Sequence, residues 1–216
     1  MAKKILSSRQ VRIDARDLLH IACSTGQSAA RDSTAGMEML IRIALAFFTP
    51  PSTVDAEALH RFAPAYVTID AARDHVWAAR VAAATFDVDA DMVLAISFHE
   101  SRFTSGVVAR EARGRVSCGV MTPYPTKTCA ATSLLAQYLD GTRHWAVDWK
   151  RAGGIRNERE VLLGYAGGYR LIRRCRQGAV LRHKTHGDDL CVTADVFKGI
   201  RSRIVRARQP KLKTAS

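Results

Sequence analysis

The stretch from Asp87 to Phe103, DVDADMVLAISFHESRF, constrains the fold more than any other part of the chain. Asp89 or Asp91 supplies a helix start, because a short side-chain oxygen can accept from the free N–H groups of a first turn. Met92 to Phe98 then forms an apolar body. Its length and alanine content favour a buried helix over a strand. The helix ends on His99-Glu100-Ser101. Glu100 is either a solvated helix-end carboxylate or an acid held beside a cleft.

The remaining punctuation is also helical. Residues 36–49 read as a buried helix closed by Pro50-Pro51, since proline cannot continue a helix. Ser52 or Thr53 precedes Asp55 and Glu57, a helix-start pattern. Residues 70–86 are rich in alanine with apolar positions near helical spacing. Residues 104–118 read as irregular or as a small hairpin, and TCAATSLLAQYLDGT as a helix ending at Gly141. EREVLLGYAGGYRLIRRC starts as a helix that Gly167-Gly168 interrupts, and one more helix is expected around VRIDARDLLHIA. The fold class is mainly α.

Charge narrows the partners. A formal net charge of +13 draws the surface to polyanions such as nucleic acid, anionic lipid or the acidic polymers of a bacterial envelope. Residues 191–216 hold seven Lys/Arg against the single Asp195. They read as a helix that frays into a solvated tail. The RRCR run at 173–176 reads as a solvated helix face.

Five cysteines allow the pairs Cys118–Cys129 and Cys175–Cys191, with Cys23 left over, or buried reduced thiols. A metal set of Cys175, His183, His186 and Cys191 matches no standard zinc spacing, so neither metal nor cofactor is expected. No secretory signal is legible, because ILSSRQVRIDARD is too polar for an apolar core segment. The run at 37–48, MEMLIRIALAFF, is too short to span a bilayer and reads as a buried helix, with a membrane-surface helix as the lesser alternative.

Three segments carry a resemblance. FDVDADMVLAISFHESRF resembles the catalytic-helix segment of lytic transglycosylases of the goose-type lysozyme superfamily, through Val88-Asp89, Leu94, Ala95-Ile96, Glu100-Ser101 and Phe103. GVMTPYP at 119–125 is similar to that family's cleft-lining segment at Gly119, Met121 and Pro125. Thr122 stands there where glutamine is usual, and Tyr124 where methionine is. GYAGGY at 164–169 is similar to a third family segment at Tyr165 and Gly168, with Ala166 in place of asparagine.

The resemblance covers about residues 70–180. It implies a lysozyme-like domain at 68–190, between a helical extension at 1–67 and a basic helix and tail at 191–216. It implies Glu100 as the single catalytic acid, with Tyr165 contacting that carboxylate. Ser101, Met121, Thr122 and Tyr124 would face the sugar, and Gly119, Gly167 and Gly168 would let backbone approach the glycan.

The implied chemistry needs one carboxyl group. A carboxylate beside Phe98 and Phe103 would be partly desolvated, and desolvation favours the neutral acid. Such an acid can protonate a glycosidic oxygen. In the family the N-acetyl group of the muramic acid residue attacks its own anomeric carbon. The glutamate then takes a proton from the C6 hydroxyl, which closes a 1,6-anhydro ring. A hydrolytic muramidase would need a second carboxylate to position water, and Glu111, Asp140 and Asp148 are the candidates. Trp77, Trp145 and Trp149 suit core packing better than stacking on sugar, and His99 is expected to point away from the cleft.

The expected partner is therefore the peptidoglycan glycan strand. Residues 1–67 would meet virion or tail proteins, and 191–216 nucleic acid or the anionic envelope. The expected place is a phage virion, or the periplasm and wall of its host, for entry or lysis. Two other classes compete: a virion structural or binding module that keeps the fold, and a plain nucleic-acid-binding protein.

Overall fold

In the computed structural model the described residues are 33–106, 108–110, 116–122, 133–149, 157–182 and 189–209. They run α1 (Ser33–Phe48), α2 (Thr53–Phe62), α3 (Ile69–Phe86), α4 (Ala90–Ser101), β1 (Val108–Arg110), β2 (Val116–Cys118), α5 (Leu134–Arg143), α6 (Glu158–Arg176) and α7 (Thr193–Arg208). A π-helical turn, His144–Trp149, extends α5, and a 3-10 turn, Leu190–Val192, leads into α7. The protein is mainly α. Strand is limited, among the described residues, to the β1–β2 hairpin, with Ala109 opposite Ser117. The helix expected around VRIDARDLLHIA lies outside the described residues.

Local chemistry sets the helix starts. Ser52, Thr68, Asp89, Ser133 and Asn157 each accept a backbone N–H of the helix that follows. Each such cap stabilises its helix by about 1 kcal/mol. Asp89, not Asp91, caps α4.

Helix α4 lies at the centre. Met92 through Phe98 are all buried, and α3 and α7 pack against it. A fully buried Val, Leu or Ile side chain contributes about 1.5–3 kcal/mol, so this helix anchors the rest. Helix α2 packs on α3 and α7. The helix at 53–62 and the basic helix at 193–208 thus share one core with the centre.

Two expectations, for the 37–48 run and for Gly141, are corrected. The 37–48 run is helical but not buried: Met37, Leu40, Ile41, Leu45 and Phe48 are exposed, Phe48 by 80%, while Ile43 is buried. The helix touches α3 along one edge, where Trp77 Nε1 donates to the Phe47 carbonyl at 3.0 Å. Its apolar residues encircle it, so one packed edge leaves the others in solvent. Among the described residues, no helix is long and apolar enough to cross a membrane.

The basic helix α7 does not fray before Arg208. Ala194, Phe197, Ile200 and Ile204 are buried. Arg208 reaches Asp55 at 2.7 Å and Asp91 at 2.5 Å, Arg201 pairs with Asp89, and Lys198 lies 3.4 Å from Glu158. Much of its charge is therefore spent inside the fold. Residues 210–216 lie outside the described residues.

Gly141 does not end α5, which runs on to Arg143. A Cβ at Gly141 would sit 2.4 Å from Met121 Cβ, so the glycine lets a neighbouring turn press against the helix.

Cys175 and Cys191 form a disulfide that ties the end of α6 to the turn before α7. That removes both sulfurs from the candidate metal set, whose His183 and His186 lie outside the described residues. Cys118 is disulfide-bonded as well; its expected partner Cys129 lies outside the described residues.

A buried polar chain holds the end of α4. Ser97 Oγ lies 3.0 Å from Tyr138 Oη, which lies 2.9 Å from His75 Nδ1. His75 also hydrogen-bonds the Phe103 backbone. Arg102 and Phe103 both have left-handed backbone, φ 54° and 66°, which side chains disfavour. The chain to His75, and a 2.7 Å hydrogen bond from Tyr66 Oη to the Arg102 carbonyl, hold that turn.

Burial lowers the His75 pKa from 6.5 to about 4, against a smaller opposing pull from the Phe103 hydrogen bond. The unfolded chain takes up this proton as pH falls through 6.5, while the folded chain resists until about 4. The contribution is intact above pH 6.5 and is lost between 6.5 and 4, by about 3 kcal/mol. Urea unfolding of the wild type and His75→Gln across that window measures it: the wild type should lose its stability advantage on acidification. A constant difference between the two would refute this role for His75.

Candidate active site

Glu100 is the penultimate residue of α4, and its side chain is 23% exposed. The helix end places it against the turn Gly119–Thr122. Thr122 Oγ1 donates to Glu100 Oε2 at 2.7 Å. His99 Nδ1 lies 3.3 Å from Glu100 Oε1. Each carboxylate oxygen thus has one polar neighbour.

His99, expected to point away from the cleft, packs between α7 and the Glu100 carboxylate. Phe197 of α7 meets its ring edge-on at 4.8 Å, and the ring turns toward Glu100.

Several buried contacts fix the 119–122 turn. Ser101 Oγ donates to the Val120 carbonyl at 2.7 Å and lies 3.1 Å from the Ser97 carbonyl. Gln137 Oε1 accepts from Val120 N at 2.9 Å. Tyr165 Oη donates to the Met121 carbonyl through a short hydrogen bond. Thr122 itself has φ 41°, a left-handed conformation rare for a β-branched residue. The hydrogen bond to Glu100 and one from Thr122 N to the Gly119 carbonyl (3.3 Å) hold it there.

This geometry redistributes the expected roles. Ser101 is 7% exposed and its hydroxyl is spent on backbone, so it positions the turn instead of meeting a substrate. Met121 is fully buried against Gly141 and does not face solvent. Gly119, at φ 84°, leaves room for Gln137, whose side chain a Cβ would meet at 2.9 Å. Gly168, at φ 74°, kinks α6 just beyond Tyr165. Tyr165 binds the Met121 carbonyl, not the Glu100 carboxylate. It still senses that carboxylate: burial first, then the negative charge of Glu100, pushes the phenol well above its ordinary pKa. Tyr124 lies outside the described residues.

Of the candidate second carboxylates, Asp140 is exposed on α5. Glu111 and the Asp148 side chain lie outside the described residues. Trp145 is buried, with its Nε1 unpaired among the described residues, and Trp77 is half-buried. Both serve packing.

Sequence reading missed His99 and Gln137 as members of the site. Neither sits in a spacing pattern that marks it, and only the packing of α7 and α5 brings them in. Among the described residues no cluster of His, Cys, Asp and Glu could hold a metal ion.

A cleft of about 770 Å³ opens elsewhere, between α2 and the end of α7, lined in part by Val54, Glu57, Phe62 and Arg206. Its one carboxylate, Glu57, is exposed and lies 3.6 Å from Arg61. Glu100, by contrast, is only 23% exposed and accepts from the Thr122 hydroxyl.

Removing the Thr122 hydroxyl should weaken any acid–base work at Glu100. Thr122→Val is expected to lower kcat about tenfold to a hundredfold, the range for a hydrogen bond to a charged group. Thr122→Ser should restore most of it. Equal rates for the valine and serine variants would dismiss the contact.

No family model, curated protein or solved structure matches the chain.

Proposed function

We propose that the chain is a peptidoglycan lytic transglycosylase with a lysozyme-like fold, in which Glu100 alone serves as acid and then as base. The carrying observation is the half-sheltered Glu100 carboxyl at a helix end, bonded by Thr122 at 2.7 Å and backed by Tyr165 on the Met121 carbonyl. All three motifs of the sequence resemblance meet there, although they come from α4, the 119–122 turn and α6.

In this reading Glu100 gives its proton to the oxygen between N-acetylmuramic acid and N-acetylglucosamine. As that C–O bond breaks, the muramic N-acetyl oxygen bonds to the anomeric carbon. The Glu100 carboxylate then removes the C6 hydroxyl proton. The C6 oxygen displaces the N-acetyl oxygen, leaving a 1,6-anhydro end and a reprotonated Glu100. One carboxyl group shuttles one proton, so no second acid is required. Thr122 orients the carboxyl group through both steps, and Ser101, Gln137 and Tyr165 hold Thr122 in place. The expected setting is wall opening during phage entry or lysis.

Mass spectrometry of the muropeptides released from purified sacculi is the test. Anhydro-muramic ends are the expected result. Reducing ends would mean hydrolysis, and the absence of any release would remove the enzyme reading. A second reading, a virion scaffold or binding module, draws on the exposed apolar face of α1. Virion incorporation without wall cutting would favour it.

A further inference from the structure

Beyond the Gly168 kink, helix α6 carries a row of exposed arginines. Leu171 and Ile172 are buried and fix how this half of the helix is turned. Arg170, Arg173 and Arg174 consequently lie together on the solvent side. Their spacings of three and four residues put neighbouring side chains about 5–6 Å apart at the helix surface. The fourth arginine of the segment, Arg176, is engaged by Glu160 at 2.5 Å. No carboxylate among the described residues holds the other three.

The row shares its helix with a residue of the site. Tyr165, whose hydroxyl fixes the turn beside Glu100, is five residues before Arg170 on the same helix. From Gly168 to Arg174 the helix advances only about 9 Å.

We propose that this arginine row binds the free carboxylates of the stem peptides carried by muramic acid. The substrate class is then the peptide-bearing strand in preference to naked glycan. This rests on the proposed reading of Glu100. A stem peptide of three to five residues extends about 10–18 Å, so one attached to a sugar near the kink spans the whole row. Its backbone-terminal and side-chain carboxylates are planar and fit guanidinium in a two-point contact. One exposed pair of this kind is weak, but three on one ligand add to a usable preference. Salt screens such exposed charges, so the preference falls as ionic strength rises.

The test compares anhydro-ended product release from intact sacculi and from sacculi stripped of stem peptides by an amidase. Wild type and the triple variant Arg170→Gln/Arg173→Gln/Arg174→Gln are assayed on both. The wild type is expected to prefer the peptide-bearing wall about tenfold at low salt, from the charge-assisted contacts. The triple variant should lose that preference while keeping its rate on stripped wall. Equal wild-type rates on the two walls, or a triple variant slowed alike on both, would overturn the inference and leave wall cutting standing. A triple variant that keeps the preference but no longer binds a 30-base-pair DNA duplex would assign the row to nucleic acid and also overturn it. Release from neither wall by the wild type would overturn the Glu100 reading itself, and this inference with it.

Discussion

Glu100→Gln is expected to abolish wall cutting, with a fall in kcat of about 10³-fold or more, near the middle of the range for general acid–base groups. The amide has almost the shape of the acid and can still accept from Thr122 Oγ1. It has no transferable proton, so bond cleavage and ring closure both stop. Stability should change by less than about 1 kcal/mol, as for substitutions that create neither a cavity nor an unpaired buried charge. Zymography on peptidoglycan reads the activity, and urea unfolding reads the fold. A variant that still clears the gel at a comparable rate would rule out Glu100 as the acid. Glu100→Asp keeps the proton but withdraws it by one methylene, so a partial loss is expected there.

Gly141→Ala should be the most damaging small change elsewhere in the chain. Its new Cβ would lie 2.4 Å from Met121 Cβ and 2.8 Å from Met121 Sδ. A flexible tip could swing aside, but a Cβ moves only with its backbone. The Met121 backbone is held by Tyr165, and its neighbour Val120 by Gln137 and Ser101. Overpacking of this kind costs about 3 kcal/mol. Because the displaced turn carries Thr122, activity should fall with stability. Gly199→Ala, where a Cβ meets nothing within 4 Å, is the control. In mid-helix it should leave stability unchanged or raise it by up to about 1 kcal/mol. If Gly141→Ala proved as stable and active as wild type, the tight turn would not be what positions Thr122.

The helices were legible from the sequence because their signals are local. Ser52 and Asp89, each one of two caps that the sequence offered, cap the helices they precede, and the Gly167-Gly168 pair marks a break that the backbone confirms at Gly168. Non-local facts were not legible. The apolar 37–48 run suggested burial, but composition does not say whether a neighbour exists to cover each side of a helix, and α1 has one on a single edge. The charges of 191–216 suggested a basic helix running into a solvated tail, but not that Phe197, Ile200 and Ile204, recurring at helical spacing, reach the core. At the site, Glu100 and Tyr165 stood out by motif. Thr122 was assigned to the sugar and stood where an amide is usual, because sequence does not show that its hydroxyl turns back onto the acid. Ser101, Met121 and Gly119 were assigned to substrate. Their burial and the direction of their hydrogen bonds place them behind the site, as its support.

Helix α7 has a consequence for how the protein is made. Phe197 braces His99, the neighbour of Glu100, and the helix packs along α4. While residues 193–208 are still inside the ribosome, the acid-bearing helix lacks one of its two principal neighbours. The surroundings of Glu100 can therefore assemble only after residue 208 has left the ribosome, so any activity that depends on them appears only once the chain is nearly finished.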